Sequence, residues 1–103
     1  MIFKKFDFVS VENDFENLLK TAKADFEYYD RKTNFYDRLL DKIKPIEDRL
    51  PDDEKTIDRY YELYNRVYDN YAQASALRDQ LEKYVLKLER LRDDMVFFYE
   101  CSR

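Results

Sequence analysis

The chain contains no glycine. Glycine takes left-handed backbone without steric cost, so type I′ and II′ hairpin turns lose their favoured residue, which argues against a sheet-rich fold. The same absence removes the glycine-rich phosphate loop, the dinucleotide-binding fingerprint and the nucleophile elbow. Proline occurs only at Pro45 and Pro51, so one short stretch breaks an otherwise uninterrupted chain of 103 residues. That length holds one small core. The expectation is an all-α fold.

Catalytic chemistry is narrowed further by what else is missing. With no His, the commonest general base and the commonest metal ligand are both gone. The single Cys101 builds neither a zinc site nor an intramolecular disulfide, and it reads as an incidental thiol. Carboxylates remain, and 23 of them against 19 basic residues are what a solvated helical surface carries. No enzymatic activity, metal or cofactor is expected. The net charge of −4 offers no basic stripe for nucleic acid. Asp7 and Glu12 interrupt any signal-peptide core, and no apolar run is long enough to span a membrane. Neither nucleic acid nor a membrane is an expected partner, and a soluble cytoplasmic protein is the default.

Apolar residues recur at steps of four and three through Phe15, Leu19, Ala22, Phe26, Tyr29, Thr33, Tyr36, Leu40 and Ile43, with only Thr33 polar. A sustained seven-residue repeat of this kind is the seam of a packed helix. Leu18, Phe35 and Leu39 widen it, as in a bundle. Asn13 with Glu16 has the form of a capping box and Ser10 is a second cap candidate, so this helix is expected over about 11–44. Pro45 ends it, and 45–51 forms the turn. Residues 1–10 read as a separate apolar segment.

A second helix is expected over about 52–99, with Pro51 in its first turn and Asp52, Asp53 and Glu54 at its positive dipole end. Its seam reads Ile57, Tyr60, Tyr64, Val67, Tyr71, Ala74, then Leu77, Leu81, Tyr84, Leu88, Leu91, Met95 and Phe98. The step from Ala74 to Leu77 is three where four is due, a slip in phase that falls among the small residues Ala72–Ala76. Either the helix continues through that point or it breaks near Ser75 into a three-helix bundle; good helix formers and no Gly or Pro favour continuity. The resulting architecture is an antiparallel helical hairpin with coiled-coil-like packing. Folded about residues 47–48, it sets Tyr36 near Tyr60, Tyr29 near Val67, Leu19 near Leu77, Phe15 near Leu81, and Ala22 near Ala72 and Ala74.

Three surfaces are candidates for function. In this register residues 85–99 outrun the first helix, leaving Leu91, Met95, Phe97, Phe98 and Tyr99 to meet the N-terminal Phe3, Phe6 and Phe8 or a partner. Tyr61 and Tyr68 lie off the seam, where exposed tyrosines supply rigid contact area. Asp52, Asp53, Glu54, Asp58 and Glu62 form an acidic tip beside the turn.

A helical hairpin of this length is similar in outline to the small secreted hairpins of the WXG100 kind. Their Trp-x-Gly turn has no counterpart, because Trp and Gly are both missing, and no Tyr is followed four residues later by Asp or Glu. No role is carried over from them. The Asp-, Tyr-, Phe- and Lys-rich composition resembles that of small phage or viral accessory proteins. The expected function is a non-enzymatic protein–protein interaction module, an adaptor or inhibitor acting through a helical surface as a homodimer, since two helices alone make a thin core. One alternative is a phage or viral inhibitor in the host cytoplasm that meets a nucleic-acid or defence enzyme through the acidic tip. Another is a structural subunit of a larger helical assembly.

Overall fold

The structure, a computed structural model, describes residues 8–101, with side chains from Val9 onward. Helix α1 spans Phe8–Ile43, a 3-10 helix follows over Lys44–Arg49, and helix α2 spans Glu54–Cys101. The described residues contain no strand. The chain is an all-α helical hairpin.

The helix ends differ from the sequence expectation. α1 starts at Phe8, so Ser10 and Asn13 sit inside the helix instead of capping it. Val11 is half-buried one turn before Phe15, and extending the packed stripe outweighs an N-cap preference of about 1 kcal/mol. Residues 8–10 therefore belong to α1, and residues 1–7 lie outside the described range. The stretch 45–51 is mostly the 3-10 helix, with Pro45 in its first turn, where a missing N–H costs nothing. Pro51 precedes α2, and Asp53 caps it. The Asp53 carbonyl accepts the N–H of Ile57 at 3.0 Å. Its carboxylate accepts the Lys55 N–H at 3.3 Å and the Thr56 hydroxyl at 2.7 Å. α2 is then unbroken to Cys101, so the three-helix alternative does not occur.

The chain divides into two compact units. The turn unit comprises Glu27–Asp79. Its buried residues are Thr33, Ile43, Tyr60, Val67 and Ala74. Tyr60 donates its hydroxyl to the Ile43 carbonyl at 3.0 Å, serving one of the last-turn acceptors that α1 leaves without an intrahelical partner. Thr33, the polar member of the seam, donates to the Tyr29 carbonyl one turn back at 2.7 Å, which satisfies its buried hydroxyl. The terminal unit combines the start of α1, up to Phe26, with α2 from Gln80. Leu19, Ala22 and Leu88 are its buried cluster, with Phe15 and Val85 packed against them.

These contacts correct the register. Leu19 meets Leu88 where Leu77 was expected, about three helical turns further along α2. Ala22 packs on Leu88 and not on an alanine, and Phe15 packs in the cluster with Val85 and Leu88. The reason lies in the turn. The 3-10 helix and residues 50–53 carry the chain on before it reverses, so Tyr60, in the second turn of α2, comes level with Ile43. Leu88, expected to lie beyond α1, instead packs with its Leu19 and Ala22, and Val85 lies against the same cluster.

The phase slip is corrected too. The seam of buried and half-buried residues in α2 runs Ile57, Tyr60, Tyr64, Val67, Tyr71, Ala74 and Arg78 in the turn unit, then Leu81, Val85, Leu88, Arg92, Met95 and Tyr99 in the terminal unit, with Thr56, Ser75, Glu89 and Val96 half-buried beside it. The alternation of three and four never falters. Arg78 fills the position where four was due, and its guanidinium lies 3.7 Å from Asp30 of α1. Leu77, Tyr84, Leu91 and Phe98, read as seam, each stand one residue before it and are exposed. All nine α1 seam positions from Phe15 to Ile43 are buried or half-buried, as expected.

Two substitutions check this packing. Leu88→Ala should destabilise the protein by about 2–4 kcal/mol in urea denaturation; a loss below about 1 kcal/mol would place Leu88 outside the core. Arg78→Leu should raise the melting temperature, because an apolar residue at a seam position gains burial while Asp30 is wet enough to stand alone. A fall would mean that the ion pair outweighs the packing.

Candidate protein-binding surfaces

In the terminal unit, the salt bridge between Lys23 and Glu89 at 3.3 Å marks one flank of the helix pair. Both residues immediately follow a buried seam position, Ala22 and Leu88. Residues that immediately precede α2 seam positions lie on the other flank, as they do in any antiparallel pair with this spacing. Tyr84, Leu91 and Phe98 occupy those positions on α2, and Leu18 occupies the matching one on α1. All four are exposed, Leu91 at 52% and Phe98 at 66%. The result is an apolar edge with seven-residue spacing along α2.

The other expected residues of this region separate. Met95 and Tyr99 are half-buried seam residues. Phe97 is exposed but points away from the Leu91 edge in helical phase, its ring set against Phe98 at 5.4 Å between centroids. Phe3 and Phe6 lie outside the described residues, and Phe8 is described only as the first residue of α1. Tyr84 was read as seam, not as surface; its spacing from Leu91 and Phe98 was the signal that it belongs with them.

In the turn unit, Tyr61 and Tyr68 are both exposed. Tyr61 is not free to serve a partner alone, because its hydroxyl donates to Glu47 Oε1 at 2.6 Å across the turn. Tyr68 stands 6.3 Å from the Tyr71 ring. On α1, Lys32 lies 5.0 Å from the Tyr28 ring centroid and 5.8 Å from that of Tyr29, and its interaction with Tyr28 raises its pKa. The acidic residues Asp52, Asp53, Glu54, Asp58 and Glu62 are all exposed. Asp53 is already engaged as the α2 cap, and Arg59 and Arg66 line a groove of about 400 Å³ on the same unit with Ile46, Leu50, Tyr60 and Leu63.

Among the described residues no cluster of three or more His, Cys, Asp or Glu is placed to hold a metal ion, and no helix is long and apolar enough to cross a membrane. No protein-family model matches the chain, and neither do any curated protein or solved structure.

Two tyrosines in the turn carry a pH signature. Burial pushes the Tyr60 phenol up from its usual 10.0, with Glu47, Tyr64 and Asp48 adding to the effect. The hydrogen bond to Glu47 pushes Tyr61 up from the same value. In both cases the folded state favours the neutral, donating phenol. Their contribution to stability is complete below the unfolded value of 10.0 and is lost as pH rises through the higher folded values. Alkaline titration by tyrosine absorbance should show two late-ionising rings, and Tyr61→Phe should remove one. If the variant keeps both late-ionising rings and loses amplitude from the earlier phase instead, the Tyr61–Glu47 bond does not form.

Proposed function

We propose that this chain is a non-enzymatic protein-binding module, an adaptor or inhibitor that works through the surface of α2 and associates with a second copy of itself. The reading rests on one observation: the exposed line of Tyr84, Leu91 and Phe98, repeating at the spacing a partner helix would match. Isolated exposed apolar residues need no explanation; three that repeat every seven residues along one edge of a helix support an interaction site. Aromatic residues at two of the three positions fit the composition of interface centres.

The acidic-tip alternative finds less support, since Asp53 serves the α2 cap and arginines share that unit. Salt separates the two readings. Contacts made by an apolar edge survive about 0.5 M salt, whereas contacts made by exposed charge are screened. Wild-type protein and the double variant Leu91→Glu, Phe98→Glu should be compared as immobilised baits in lysate of the source organism, with matching helical melts confirming that both fold. Salt-resistant capture by wild type, of another copy of the chain or of a different protein, that the variant loses is the expected result. Identical captures on both baits would sink the proposal, and captures that vanish in salt would transfer it to the acidic tip.

A further inference from the structure

The edge of α2 described above has an internal symmetry. At steps of three and four it reads Tyr84, Lys87, Leu91, Asp94, Phe98, all exposed. Leucine is central, a charge stands on each side of it, the charges are opposite, and an aromatic ring closes each end. Among the described residues neither Lys87 nor Asp94 has an ion-pair partner. In a two-fold dimer each residue that touches a second must be touched by that second in return. Both a parallel and a reversed pairing of this edge meet that condition, and only the reversed one brings its opposite charges together.

We infer that the edge binds the same edge of a second copy, antiparallel, on a two-fold axis at Leu91. This rests on the protein-binding reading above and names its occupant. Rotation about that axis sets Leu91 on Leu91 of the second copy and Tyr84 on its Phe98. It also brings each Lys87 to within about one residue rise, ~1.5 Å along the axis, of standing opposite Asp94 of the other copy. Charge complementarity is what selects a second copy over an unrelated helix: a parallel alignment would set Lys87 on Lys87 and Asp94 on Asp94, which like-charge repulsion opposes. Leu18, on the same flank of the terminal unit, widens the contact. The antiparallel arrangement also keeps the two Cys101 residues about 30 Å apart along the helices, ten residues from the axis on either side.

The test uses the full chain at micromolar concentration. Sedimentation should give a dimer mass for wild type. Leu91→Cys in a Cys101→Ser background should form the disulfide-linked dimer under mild oxidation, since an on-axis pair falls within the reach of about 7 Å between Cα atoms. Wild type, through Cys101, should not cross-link within the dimer. Lys87→Asp should weaken association at least about tenfold, and the swap Lys87→Asp with Asp94→Lys should restore it. A wild-type monomer overturns the inference, whatever covers the edge, as does ready cross-linking through Cys101 or failure of the swap to restore. A monomer that still captures other proteins through Leu91 and Phe98 would leave the protein-binding reading standing alone. A dimer whose baits capture nothing would do the reverse.

Discussion

The turn unit depends on one hydrogen bond, from the Tyr60 hydroxyl to the Ile43 carbonyl. A helix that ends leaves its last carbonyls without intrahelical donors, and burial makes that omission expensive. Ile43 is the last residue of α1, the N-cap of the 3-10 helix and a buried residue, and its carbonyl takes the Tyr60 hydroxyl from α2 as well. A tyrosine in the second turn of α2 serves it only if α2 begins well past the end of α1. The 3-10 helix and the Asp53 cap supply that offset. Tyr61 adds a bond from the next position of α2 back to Glu47 of the 3-10 helix.

Much of the fold was legible in the sequence. The α1 seam could be read in full because eight of its nine positions are apolar, and the one polar member satisfies its own hydroxyl within the helix. Continuity of α2 followed from the lack of any residue that stops a helix. The register was not legible, because it depends on whether a proline-bounded segment turns at once or winds further as a 3-10 helix, which a hydrophobic pattern does not encode. The phase of α2 was misread for a different reason. A search for apolar residues passes over Arg78 and Arg92, yet arginine buries its aliphatic stem while its head reaches a carboxylate or water. Skipping Arg78 for Leu77 created a slip where the helix has none, and it drew Tyr84 onto the seam together with Leu91 and Phe98, which became partner candidates only because the expected register carried them beyond α1. Their true place on the surface is what makes them a candidate site.

α2 therefore carries two seven-residue patterns one position apart. The inner one uses small, aromatic and even charged residues against α1; the outer one offers leucine and aromatic side chains to water. A helix with a single apolar face spends its largest side chains inward. Here Leu91 and Phe98 are more exposed than the arginine at position 92. That inversion follows from two helices enclosing only a narrow seam, in which Ala22, Ala74 and Thr33 fit where larger groups would force the axes apart.

The position of the turn has a kinetic and energetic consequence for the opposite end of the chain. Ile43 and Tyr60 are 17 residues apart, whereas the Leu19–Leu88 contact closes most of the chain into one loop. Loop closure costs more entropy as the enclosed segment lengthens, unless nearer contacts have already formed. Closing the terminal unit first would therefore cost more entropy than closing the turn unit first. Anything that bound the closed terminal unit and not the open one would, by mass action, add its binding energy to the closure that costs the chain the most entropy.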